Sequence, residues 1–162
     1  AFSGIDQLFT TAKKIGFENI VFGSDIISSP DQIEKILGEF EQRTKWFTNV
    51  EVLRQATSKG GELLGMSSVL NPYPGKLGVI EEGAHADLLL IDGNPLADIE
   101  AAEMVHATLI NGRLFEAETM NQVWPQRVER EPFFWELEGG DTIHPSTATW
   151  MAERHGRYGC PH

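Results

Sequence analysis

The stretch Gly83-Ala84-His85-Ala86-Asp87-Leu88-Leu89-Leu90-Ile91-Asp92-Gly93-Asn94-Pro95-Leu96 decides how the chain is read. A glycine turn leads into Asp87 and four consecutive aliphatic residues, and an Asp-Gly-Asn-Pro stop follows. A short apolar run without polar alternation, bounded by turn residues, predicts a buried β-strand over Asp87–Ile91. Downstream, Ala107-Thr108-Leu109-Ile110 and Arg113-Leu114-Phe115 flank Asn111-Gly112, the pair that supplies the positive φ angles of a tight hairpin turn. Upstream, Leu77-Gly78-Val79-Ile80 reads as a further short strand, turned at Glu81-Glu82-Gly83, and Asn71-Pro72-Tyr73-Pro74-Gly75 excludes any regular element before it.

The first part of the chain has a different period. Leu8, Phe9, Ala12 and Ile15 recur near helical spacing and Gly16 stops them. Asn19-Ile20-Val21-Phe22 reads as a short apolar strand with Gly23-Ser24-Asp25 at its C-terminal end. Ser29-Pro30-Asp31 is a helix start, and Ile33, Ile36, Leu37 and Phe40 fall at i, i+3, i+4 and i+7 behind it. Thr48 and Glu51 stand at capping-box spacing ahead of Val52, Leu53 and Ala56, which predicts a second helix. Lys59-Gly60-Gly61 weakens that helix, and Glu62-Leu63-Leu64 gives a short turn ended by Gly65. Residues 118–162 read as an irregular tail, rich in Trp and Phe and interrupted by Pro125, Pro132, Gly139, Gly140 and Pro145.

The bulk properties narrow the function classes. The 162 residues suffice for a domain with a core, and 41% apolar and 9% aromatic content is ordinary for a globular chain. A net charge of −11 without a basic run argues against nucleic acid as a partner, because that affinity comes largely from Lys and Arg at phosphates. No apolar stretch reaches the length of a membrane span. Cys160 is the sole cysteine, so no disulfide forms within the chain. His144, His155, Cys160 and His162 are zinc-capable, but their spacing fits no structural zinc pattern. Gly75-Lys76 lacks the upstream glycine and the Ser/Thr of a phosphate loop. Glu81-Glu82 and Glu129-Arg130-Glu131 read as solvated charge, and His85 as a surface residue.

Taken in order, Phe22-Gly23-Ser24-Asp25, Ala56-Thr57, Leu63-Leu64-Gly65, Gly83, Ala86-Asp87-Leu88, Asp92-Gly93-Asn94-Pro95-Leu96 and Ile110-Asn111-Gly112-Arg113 resemble the C-terminal portion of the metal-dependent amidohydrolase superfamily, in its imidazolonepropionase-like and prolidase-like branch. The resemblance covers roughly residues 5–117. It implies an α/β fold: residues 1–68 as the end of a (β/α) TIM-like barrel, 69–117 as strands of a small composite β-sandwich, and 118–162 as a C-terminal extension. One departure is Gly60-Gly61, where relatives usually carry a polar residue and alanine in a continuous helix. The resemblance also implies that Asp25, ending the last barrel strand, is both a metal ligand and a catalytic residue that accepts the proton of the attacking water. A carboxylate suits that work, being anionic, oxygen-donating and able to take a proton beside a metal-bound hydroxide. Asp87 and Asp92 read instead as structural, strand-end carboxylates that satisfy backbone amides.

The family's His-x-His, its fourth-strand lysine or glutamate and its other histidines have no counterpart before Asp25, since all five histidines follow it. The expectation is therefore a fragment of an enzyme that hydrolyses amide or related C–N bonds of a dipeptide, an N-acyl amino acid or a cyclic amide. The complete enzyme would carry a divalent metal, zinc by expectation, and this chain alone would hold none. Its partner would be the N-terminal part of the same enzyme or a second copy of itself. The competing reading is a non-catalytic α+β interaction module derived from the same fold.

Overall fold

A computed structural model of the chain describes residues 2–23, 38–133 and 136–137. The chain divides into two compact units, Ala1–Val128 and Glu129–His162.

In the first unit, helix α1 spans Phe2–Lys14 and carries Lys13 and Lys14 in its last turn, where cations suit the helix dipole. The Gly16 amide donates to Lys13 O (3.2 Å) and the Phe17 amide to Ala12 O (2.9 Å), the paired bonds of a Schellman ending. The predicted face is only partly used: Ala12 is buried, while Leu8 and Ile15 are exposed. Helix α2 spans Gly38–Arg43. The predicted cap at Ser29 and the apolar positions Ile33, Ile36 and Leu37 lie outside the described residues. Helix α3, Asn49–Ala56, starts at the expected capping box: Thr48 Oγ1 accepts from the Glu51 amide, and the Glu51 carboxylate accepts from the Thr48 amide at 2.7 Å.

The second half of that helical region departs from expectation. The break falls at Thr57, and Gly60 and Gly61 lie inside a separate helix α4, Ser58–Gly65. The cause is the segment packed across the junction. A Cβ on Gly78 would lie 2.3 Å from Thr57 O, and one on Gly61 would lie 2.1 Å from Leu77 O. With its backbone pressed onto a helix junction and Gly78 at φ +72°, Leu77–Ile80 is not the predicted strand. Asn19–Phe22 is likewise not a strand: among the described residues no strand lies beside it, the Ile20 amide turns back to Glu18 O, and helix residues bond the Val21–Phe22 peptide.

Four strands form an antiparallel meander, β1 Leu88–Ile91, β2 Val105–Ile110, β3 Arg113–Glu116 and β4 Gln122–Trp124, in that order. Leu88 pairs with Leu109, Thr108 with Phe115 and Leu114 with Trp124. Asn111 (φ 49°) and Gly112 (φ 69°) make the predicted turn between β2 and β3. Strand β1 is where expected but is not buried: Leu89 is 61% and Leu90 45% exposed. An apolar run is buried only where elements cover it, and among the described residues β1 is an edge strand paired to β2 alone.

The connection from β1 to β2 joins sheet to helices. Asn94 Oδ1 accepts from the Leu96 amide, and Asn49 of α3 donates to Leu96 O at 3.2 Å. Asp98 then caps a short 3₁₀ helix, Ile99–Glu103. Ile99 enters the core with Phe47 and Val52, and Phe9, Ile20, Phe22, Phe40, Trp46 and Leu53 pack around them. The Phe9 ring meets Trp46 and Phe47 edge-on, at 5.2 and 5.1 Å between centroids. The described part of the fold is thus α/β, with helices before residue 66 and a small antiparallel sheet after residue 87.

In the second unit, Arg130 is not simply solvated charge. Its guanidinium holds both Glu136 oxygens, at 2.7 and 2.6 Å, and lies 4.6 Å from the Phe133 ring centroid. That pairing, with the Phe133 amide, holds the Glu136 carboxyl below its usual range.

Candidate functional site

Asp25 lies outside the described residues, as do His144, His155, Cys160 and His162. What the structure describes is the approach to Asp25, the segment Ile20 to Gly23. Ile20 and Phe22 pack against the core, and the Phe22 ring lies 4.5 Å from that of Phe40. The peptide between Val21 and Phe22 is held at both polar ends. Its N–H donates to Gln55 O at 3.0 Å, and its C=O accepts from Arg43 Nη1 at 3.3 Å.

Arg43 and Gln55 are the buried polar side chains of this region, 6% and 5% exposed. Arg43 Nη1 donates to Gln55 Oε1 at 2.6 Å, while Nε and Nη2 donate to Glu39 Oε1 at 2.9 and 2.7 Å. The guanidinium lies 4.6 Å from the Phe22 centroid and 5.6 Å from that of Phe9. A buried charge is tolerated when it is paired and hydrogen-bonded, and Arg43 is both. Sequence reasoning passes over these residues although a signal exists. Arg43 stands three residues after Phe40, and Gln55 three after Val52, so each continues an apolar stripe with a polar group.

Asp87 and Asp92 lie at the sheet. Asp87 Oδ1 accepts from the Asn111 amide at 3.3 Å, the expected structural use at the hairpin turn. The side chain of Asp92 pairs instead with His106, Oδ2 to Nδ1 at 3.4 Å, and both are exposed. His85 is half-buried rather than a surface residue. Its Nε2 accepts from the Gly75 amide at 3.3 Å, its amide donates to Lys76 O, and its ring meets Tyr73 edge-on. It closes the loop that the prolines open. Among the described residues no three His, Cys, Asp or Glu side chains converge as metal ligands, and no helix is long and apolar enough to cross a membrane. An apolar groove, lined by Leu53, Leu64, Leu77, Val79, Leu88 and Ile91, runs between α3, α4 and the open side of β1.

No protein-family model and no curated protein matches the chain. Among solved structures, it is similar to a crystal structure of an amidohydrolase, at 31% identity and a TM-score of 0.56, over 68% of this chain and 25% of that one. It is also similar to a prolidase crystallised in complex with N-methylphosphonate-L-proline, at 38% identity and a TM-score of 0.49, over 59% of this chain and 22% of that one. The chain therefore spans about a quarter of the length of the proteins it matches.

Proposed function

The chain belongs to the amidohydrolase superfamily, and on that premise we propose that it forms the C-terminal portion of a metal-dependent hydrolase that cleaves amide or related C–N bonds. The observation that carries this is the likeness to the amidohydrolase, which extends over 68% of this chain at 31% identity. The substrate is a dipeptide, an N-acyl amino acid or a cyclic amide. In this reading residues 1–68 close a (β/α) barrel, and the meander after residue 87 is one layer of a small sandwich.

This chain's donor set does not by itself fit a zinc site, which needs at least three protein ligands. No such group stands among the described residues, and Asp25 offers one carboxylate. The reading assigns the other ligands to segments outside this chain, and assigns to Asp25 the roles of oxygen ligand and proton acceptor. The apolar groove and the open edge of β1 support pairing with those segments.

The test is Asp25→Asn in the complete polypeptide, assayed on a panel of dipeptides, N-acyl amino acids and cyclic amides. The amide cannot take the proton and is a weaker metal ligand, so turnover should fall by about a hundredfold or more, with the thermal midpoint nearly unmoved. Unchanged turnover in the variant would remove Asp25 from the mechanism.

A further inference from the structure

We infer that Asn111-Gly112, the turn between β2 and β3, is a site of spontaneous covalent modification: the side-chain nitrogen of Asn111 leaves as ammonia, and the turn is rebuilt as aspartate or isoaspartate. The only reagents are the chain itself and water. The inference stands independently of the proposed hydrolase.

Three observations carry it. First, both reacting groups are unengaged. Asn111 uses its backbone amide, which donates to Asp87 Oδ1 at 3.3 Å, but among the described residues its side chain makes no hydrogen bond, and neither does the Gly112 N–H. Second, the turn is open. Asn111 and Gly112 are both exposed, and even a Cβ on Gly112 would meet nothing within 4 Å, so nothing crowds a ring closing there. Third, the other asparagines lack this combination. Asn71 and Asn94 precede prolines, which have no N–H. Asn49 precedes the β-branched Val50, and its side chain is held by Leu96 O. Asn19 and Asn121 precede Ile20 and Gln122, whose side chains crowd the amide that would attack.

The chemistry balances without an oxidant or a cofactor. The Gly112 nitrogen gives up its proton and bonds to Asn111 Cγ; the Cγ–Nδ2 bond breaks, and ammonia leaves with that proton. Water then opens the cyclic imide. Attack at Cγ gives aspartate, and attack at the backbone carbonyl gives isoaspartate, in which the main chain runs through Cβ. Both products act on the sheet. Isoaspartate adds a backbone atom to a two-residue turn whose geometry sets the pairing of Ile110 with Arg113. Aspartate places a second carboxylate beside Asp87, the residue that ties the turn to the start of β1.

The experiment ages the complete polypeptide in its folded state at neutral pH and maps it by peptide mass spectrometry, with chromatography to separate aspartate from isoaspartate. The peptide carrying Asn111 should gain the mass difference between an amide and an acid, split into two products, and convert ahead of every other asparagine. The melting midpoint should fall as that fraction grows. Asn111→Gly keeps a turn suited to positive φ and removes the reacting amide. It should show no such conversion, and its midpoint should hold steady over the same ageing. Should that variant fail to fold, mapping of the unaltered chain decides alone. An Asn111 peptide that stays unchanged in the folded chain, or converts later than another asparagine, would overturn the inference. A midpoint unmoved by full conversion would overturn its stated consequence for the sheet.

Discussion

Gly60 and Gly61 are neighbours in α4, yet they tolerate substitution differently. A Cβ on Gly60 would meet only Gln55 O, at an ordinary 3.8 Å, whereas one on Gly61 would lie 2.1 Å from Leu77 O, a distance no real contact reaches. Gly60→Ala should stabilise the fold by about 0.5–1 kcal/mol, because glycine in a helix interior costs that much relative to alanine. Gly61→Ala should destabilise it by about 1–3 kcal/mol, since the obstacle is backbone and cannot swing away. Urea denaturation of the two variants checks both signs, and equal effects would mean that Leu77 does not lie against α4. From the sequence the pair reads only as a weak point in a helix. Which glycine is indispensable depends on a contact with a segment 16 residues on, and no local pattern carries that information.

At the scale of elements, the signals that could be read were those complete within a few residues. Thr48 and Glu51, Asn111-Gly112, and the stop after Ile91 each hold donors and acceptors that find partners nearby. Asn19–Phe22 and Leu77–Ile80 were misread because an apolar tetrapeptide fits both a strand and a segment laid across helices, and distant residues decide between them. Strand β4 gives no clear signal, being three residues long with Pro125 next to it. The capping box permits two measurements. Thr48→Ala should cost about 1 kcal/mol, the usual worth of such a cap. Glu51 is held below its ordinary value of 4.5, first by its bond to Lys13 and then by the Thr48 amide. A carboxyl depressed on folding contributes stability that is present above its unfolded pKa and is lost as pH falls through the lower, folded value. Glu51→Gln should therefore narrow the gap between melting points at neutral pH and at acid pH below 4.5. The effect is small, because 40% of the side chain is exposed. An unchanged acid limb would mean that another carboxyl sets it.

For the whole molecule, the expectation for Asp25 falls outside the described residues, and the bonds that Arg43 and Gln55 make to the Val21–Phe22 peptide were not legible, because these residues become neighbours of Val21 only after folding. The same dependence on distant partners shows in what residues 1–128 leave uncovered. Among the described residues strand β1 has an unpaired edge, and Leu89 and Leu90, on opposite faces of the strand, are both exposed. Val69, Leu70 and Ile80 are also largely exposed, and Ile80 borders a groove lined with aliphatic side chains. Exposed apolar side chains beside an open strand edge are a template for pairing. The net charge of −11 opposes association at long range, but salt screens it within about 8 Å at physiological ionic strength. We therefore predict that the 162-residue chain on its own is not a stable monomer. Light scattering at micromolar concentration should give a mass above the 18.0 kDa of one chain, and added salt should raise it further by screening the repulsion. Charge substitution of the uncovered surface, as in Leu89→Lys with Ile80→Lys, should return the mass toward that of a monomer. If the unaltered chain is monodisperse at one chain's mass and melts cooperatively, it closes its own core, and the reading of the chain as part of a larger enzyme fails.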